Sequence, residues 1–109
     1  MATKVNLQID QASSFITSFT IFDDNDNPID FTGYTVNSQC KKSYTSANNY
    51  PFVATASNTG LITLTMNYIT SGSMAPGRYV YDIEVVDVNS IHSRLIEGIV
   101  TVNPAVTIV

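Results

Sequence analysis

The run from Gly77 to Asp87 restricts what this chain can fold into more than any other segment. A Pro76-Gly77 turn opens into strict alternation, with Tyr79, Tyr81, Ile83 and Val85 on one side and Arg78, Asp82 and Glu84 on the other. Successive side chains of a strand point to opposite faces, so the pattern predicts a strand with one buried and one wet face. After the break Val88-Asn89-Ser90-Ile91-His92, a run rich in β-branched residues extends from Ser93 to Asn103. Two such runs joined by a polar connection predict a hairpin.

The earlier residues follow the same grammar. Val5, Leu7 and Ile9 alternate with Asn6, Gln8 and Asp10 in a first strand, and Phe15, Thr17, Phe19 and Ile21 share a face in a second. Asp23-Asp24-Asn25-Asp26-Asn27-Pro28 is dense in turn formers. Val36, Ser38 and Cys40 face one way in a third strand. Phe52, Ala54 and Ala56 mark a fourth after Pro51, and Ile62, Leu64 and Met66 a fifth beyond the Ser57-Asn58-Thr59-Gly60 turn. The segment from Asn67 to Ala75 has room for a single helical turn. About seven strands with regular turn signals predict an all-β fold, an antiparallel sandwich of immunoglobulin-like type, with a small β-barrel as the alternative.

A length of 109 residues fits one domain spanning 1–109. Such a chain buries roughly two-thirds of its unfolded surface. Hydrophobic residues make up 44% and charged residues 13%, a globular balance in which surface polarity falls to Ser, Thr and Asn. The net charge is −4, and among the basic residues just Lys41 and Lys42 adjoin, which argues against a nucleic-acid partner. A single cysteine, Cys40, excludes an intrachain disulfide. The N-terminal residues lack the apolar run of a signal peptide, and no segment approaches the ~20 apolar residues of a membrane span. Folding in a cytoplasm is the expectation.

Candidate chemistry is sparse. Asp23, Asp24 and Asp26 offer clustered carboxylates that a calcium ion could use. The EF-hand pattern fails, since no Gly follows Asn27 and no Glu closes the loop, and the competing reading is a hairpin turn in which Asp and Asn cap backbone amides. His92 is the sole histidine and reads as a solvated loop residue. Cys40, on an inward-facing position, reads as a small buried hydrophobe rather than a nucleophile. Asp82 and Glu84 share the wet face of their strand, where Arg78 or Arg94 is available to pair with them. A hydrolase reading finds no identifiable base, nucleophile or oxyanion donors. No catalytic residue and no cofactor are expected.

Binding is the better expectation. Tyr44, Tyr50 and Tyr68 lie in or near connections, and tyrosine suits interfaces because it buries area while offering a hydroxyl. Ordinary edge packing is the other reading of Tyr44 and Tyr50. The segment 104–109, Pro104-Ala105-Val106-Thr107-Ile108-Val109, is apolar and β-prone. Either it completes the domain's own sheet or it adds a strand to a neighbour; docking on a partner chain through Val106, Ile108 and Val109 is the expectation.

Three segments carry a family resemblance. Asp24-Asn25-Asp26-Asn27-Pro28-Ile29-Asp30-Phe31-Thr32-Gly33-Tyr34 resembles the "D-x-x-G-x-P-hydrophobic-D-L-T-G-Y/A" segment of small immunoglobulin-like domains of tailed bacteriophages, such as the N-terminal domain of phage baseplate upper proteins. Phe31 stands where Leu is usual, and Asn27 replaces the turn Gly. The run from Met74 to Glu84 resembles their "L-x-x-G-x-Y-x-Y-D-I-x" strand, and Arg94 to Val102 their closing "R-x-x-x-G-x-V-x-V" strand. The resemblance implies a non-enzymatic structural protein, made in the host cytoplasm and carried in the virion. Its partners would be other virion proteins on capsid, neck, tail or baseplate, as a homo-oligomer or on a lattice, without nucleic acid or membrane. A carbohydrate- or host-surface-binding module, with a host glycan as ligand, is the alternative.

Overall fold

A computed structural model of the chain describes residues 3–43, 45 and 49–106. The described residues are all-β apart from one short helix. In order, the elements are β1 (Thr3–Lys4), β2 (Leu7–Asp10), β3 (Phe15–Thr20), β4 (Thr35–Lys41), β5 (Asn49–Ala56), β6 (Leu61–Met66), α1 (Tyr68–Gly72), β7 (Gly77–Val86) and β8 (His92–Asn103). The strands form one curled path, β1-β8-β7-β4-β5-β6-β3, with β2 also pairing β8.

The path turns at β5. Residues Asn49–Phe52 pair with β4, whereas Val53–Ala56 pair with β6. Pro51 sits inside this strand, not before it as the sequence pattern implied. Ser57 N–H bonds Leu61, which aims the odd residues of β5 at β6. The N–H that Pro51 lacks therefore falls on the side where this half of β5 has no neighbour, so the ladder loses nothing.

The alternation in β7 is as the sequence predicts. Tyr79, Tyr81, Ile83 and Val85 are buried, and they pack with Ile9, Ile62, Leu64, Met74, Ile96, Val100 and Val102 in one core. Phe52 joins the strands on either side of the turn, with its ring 5.8 Å from Phe15 and 6.3 Å from Tyr81. The expected helical turn is α1. Asn67 caps it by accepting from the Thr70 amide at 2.8 Å, and Ser71 ties it to the β2–β3 connection by donating to the Ser13 carbonyl at 2.8 Å.

The first expected strand, from Val5 to Asp10, is a strand only from Leu7 as β2, and a further short strand, β1, precedes it at Thr3–Lys4. The break between β1 and β2 at Val5-Asn6 falls where the Val5 carbonyl turns to the Tyr81 hydroxyl and the Asn6 side chain accepts from Ile99 N–H. The pairing register of β1 and β2 on β8 is the same on both sides of the break. Gly98 lies opposite it, and a Cβ there would collide with the Val5 carbonyl.

Three connections share one design. In 23–27, 57–61 and 87–91 the first residue's N–H bonds the fifth residue's carbonyl, and the fourth residue's N–H bonds the first residue's carbonyl. The first side chain accepts from the third and fifth amides: Asp23 from Asn25 and Asn27, Ser57 from Thr59 and Leu61, Asp87 from Asn89 and Ile91. The fourth residue is left-handed in each, Asp26 at φ 60°, Gly60 at 80° and Ser90 at 63°. This is a type I turn followed by a residue in the left-handed region, a common short hairpin connection.

Candidate functional site

The acidic loop is built for turning the chain. Asp23 spends one carboxylate oxygen on two backbone amides at 2.9 and 3.0 Å. Among the described residues no cluster of three or more His, Cys, Asp or Glu is placed to hold a metal ion. Asp24 and Asp26 remain exposed on the same loop.

Cys40 is fully buried, its thiol 3.4 Å from the Tyr50 carbonyl, and burial pushes its pKa up to about 12. The thiolate that nucleophilic chemistry requires is thereby suppressed. His92 is exposed, with Nδ1 2.8 Å from Glu84 Oε1 across the β7–β8 pair. Arg94, not Arg78, partners the acids: its Nε is 3.2 Å from Asp82 and it lies 3.5 Å from Glu97. Arg78 is opposite Thr101. These groups line a charged, solvated sheet face. Beside them, where β5 leaves β4, a groove of about 560 Å³ is bordered by Asn37, Gln39, Pro51, Asp82 and Glu84.

The tyrosines separate. Tyr50 is half-buried in β5, its ring 5.8 Å from Tyr79 in an edge-to-face pair, which is packing. Tyr68 is exposed at the start of α1. Tyr44 lies outside the described residues, as do Ile108 and Val109. Val106 is exposed beyond β8, and the preceding Ala105 N–H is held by Gln11 Oε1 at 3.1 Å. Gln11 also donates to the Met74 carbonyl, so Tyr68 and Val106 lie toward the same end of the molecule.

Sequence reasoning missed the apolar surface on β3, β5 and the loops. Ile16 in β3 is 70% exposed and Val53 in β5 is 67% exposed, and both pair with Thr65 of β6, so the two flank it on the outer face. Phe22, Val88 and Ile91 are exposed on the turns. A second groove, of about 470 Å³, runs between the two ends of the curled path, where β1 and the Phe19–Phe22 segment approach. The available signal was the composition of β3, six residues without a charge.

No family model matches the chain, and no curated protein matches it. Solved structures similar to it include an internalin-like protein of Listeria monocytogenes, with a TM-score of 0.48 and 19% identity over 94% of this chain and 28% of that one. Another is a family 123 glycoside hydrolase from Clostridium perfringens, with a TM-score of 0.41 and 13% identity over 94% of this chain and 23% of the enzyme. The chain thus spans about a quarter of each, and no property of either is transferred to it. Among the described residues no helix is long and apolar enough to cross a membrane.

Proposed function

We propose that this chain is a non-enzymatic structural module of a tailed phage particle, docking by protein–protein contacts on capsid, neck, tail or baseplate. The observation that carries the docking half is the uncharged terminal strand β3, with exposed Ile16 on its outer face and Val53 across Thr65. Ile16 and Val53 stand on either side of Thr65, with Phe15 and Met66 lining the same groove, and apolar surface at a sheet end suits a protein partner. The phage half rests on the three resembling segments, which fall on the 23–27 turn and its exit, on β7, and on β8.

We read the fold as an immunoglobulin-like sandwich. One layer is β8-β7-β4 with the first half of β5, and the other is the second half of β5 with β6 and β3. Tyr79, near the start of β7, donates its hydroxyl to the Ala75 carbonyl at 2.8 Å, the arrangement of a tyrosine corner in such sandwiches.

The test is mass spectrometry of purified particles. The chain is expected at a stoichiometry matching a symmetric ring or shell, and its absence from particles overturns the proposal. The groove bordered by Asn37, Gln39, Asp82 and Glu84 favours a second reading, a host-glycan site, because amides and carboxylates bond sugar hydroxyls. A glycan array separates the two.

A further inference from the structure

We infer that the groove where β5 leaves β4 binds a neutral sugar, held in part by backbone groups that the parting of the two strands leaves without a strand to meet. The inference rests on the glycan reading of this groove and names the class of sugar and the atoms that hold it.

The last rung between the two strands is Ser38 opposite Phe52. The odd residues of β5 aim their backbone groups at β6, so the even ones, Phe52 and Ala54 among them, aim theirs at β4. One further step of the same register would set Ala54 opposite Val36. Ala54 instead lies beside Leu64 of β6, and Val36 lies beside Val85 on its far side. Alternation therefore turns the N–H and C=O groups of Val36 and Ala54 into the gap: two donors and two acceptors. Both residues are half-buried and line the groove. Backbone groups so placed require a partner, which here comes from water or a ligand.

Side chains extend the same wall. On the outer face Asn37 is opposite Glu84, and Gln39 is opposite Asp82. Strand spacing and pleat set these four head groups on a rectangle of roughly 5 by 7 Å, the scale of one pyranose ring. Among the described residues no hydrogen bond engages the side-chain amide of Asn37 or Gln39. Asp82 gives Oδ2 to Arg94 and Glu84 gives Oε1 to His92, so each keeps its other oxygen open. Pro51 lies beside Gln39 and is exposed, an apolar surface for the C–H face of a sugar ring. The volume of about 560 Å³ lies within the roughly 300–1,000 Å³ of small-ligand sites. A hydroxyl both donates and accepts, so a polyol satisfies this mixture of N–H donors, amides and carboxylate acceptors, whereas an aliphatic ligand leaves them unpaired. The groove wall holds two carboxylates and no cation, which sets an acidic sugar against like charge. Lys41 and Arg94 border an adjoining recess beyond Gln39, so the sugar that fits the groove itself is neutral.

An amide-resolved NMR titration of the full chain with lactose, maltose, cellobiose and the acidic sialyllactose, each to tens of millimolar, tests this. At least one of the three neutral disaccharides is expected to bind, with its largest shifts at the Val36 and Ala54 amides. Sialyllactose is expected to bind at least about tenfold more weakly than that disaccharide. Asn37→Ala/Gln39→Ala removes two exposed side chains, so the melting temperature should stay within about 2 °C of the native value while affinity falls about tenfold. Undiminished affinity in that variant overturns the inference. So do shifts centred away from the groove, or tighter binding of sialyllactose than of any neutral sugar, and both of these leave the glycan reading standing. An absence of shifts with all four sugars also overturns it. A glycan array then decides the broader reading: a hit on another glycan keeps it, and a blank array removes it as well.

Discussion

The Tyr81 hydroxyl donates to the Val5 carbonyl at 2.6 Å, joining residues 76 positions apart. Tyr81 is buried on the inner face of β7, and Val5 is the residue at which the first edge strand breaks. The hydroxyl thus replaces a partner that the ladder does not give this carbonyl. Tyr81→Phe removes the donor and leaves the acceptor partly buried and unpaired. Leaving such a group unsatisfied costs about 1–3 kcal/mol. Urea unfolding should show a lower midpoint with an unchanged slope, and amide exchange should quicken first at Val5, whose own N–H bonds the Glu97 carbonyl at 2.9 Å. Stability equal to the native value would sink this account of the break.

Buried acids set the alkaline limit, Cys40 and Tyr81 foremost, with burial raising Tyr79 as well. Burial raises Cys40 from 9.0 to about 12, and Tyr81 from 10.0 to about 12. Both are neutral in the fold. In the unfolded chain they release protons at their ordinary values, so the unfolded state is stabilised relative to the fold as pH climbs past 9 and then past 10. The stability they contribute is complete below about pH 9 and falls as pH rises toward 12. Thermal melts followed by circular dichroism between pH 8 and 11.5 should show a flat region and then a decline. The same burial predicts that Cys40 resists alkylation at pH 8 until the chain unfolds, and native-state labelling at the rate of a free thiol would contradict it.

The acidic loop separates structural from calcium chemistry by position. Asp23 bonds two amides, whereas no hydrogen bond to a neighbouring amide marks the side chains of Asp24 and Asp26. Asp23→Ala should destabilise the chain by about 1 kcal/mol, and Asp24→Ala by less than about 0.5 kcal/mol. Asp87→Ala should match Asp23→Ala, since Asp87 makes the same two bonds at 2.8 and 2.9 Å in its own loop. Calcium should leave the melting temperature of all four proteins unchanged. A calcium-dependent rise that Asp24→Ala abolishes would restore the metal reading.

What the sequence makes legible is local. The alternation of Tyr79 to Val85 predicts both strand and buried face because pleating alone decides them. The single helical turn after Asn67 and the turn at 57–60 follow from side chains bonding their own neighbours. Sheet order is a long-range property. Nothing adjacent to Pro51 reveals that β5 changes partners after Phe52, so proline reads as a strand limit when it is an edge residue. Likewise the uncharged face of β3 is visible in its letters, but its bare edge is not, because that depends on β6 being its sole neighbour among the described residues. Tyr50 shows the converse, as a tyrosine near a connection whose ring is packed against one 29 positions along, Tyr79.

Gly98 and Tyr81 act on the same carbonyl, and their coupling is measurable. A side chain at Gly98 meets the Val5 carbonyl, so Gly98→Ala must push the first edge segment off β8 or displace β8 itself. Overpacking of this kind costs about 1–3 kcal/mol. Once Val5 has moved, the Tyr81 hydroxyl has already lost its acceptor, and removing the hydroxyl as well adds little. The double variant Gly98→Ala/Tyr81→Phe should therefore cost less than the sum of the singles, by about 1 kcal/mol in a denaturation cycle. The register Leu7 to Asp10 on Val100 to Asn103 lies beyond the break, and its amides should keep their protection in Gly98→Ala while Val5 loses its own. Additivity within about 0.3 kcal/mol would mean that the two residues stabilise the chain independently, and that the Val5 carbonyl is not the point at which they meet.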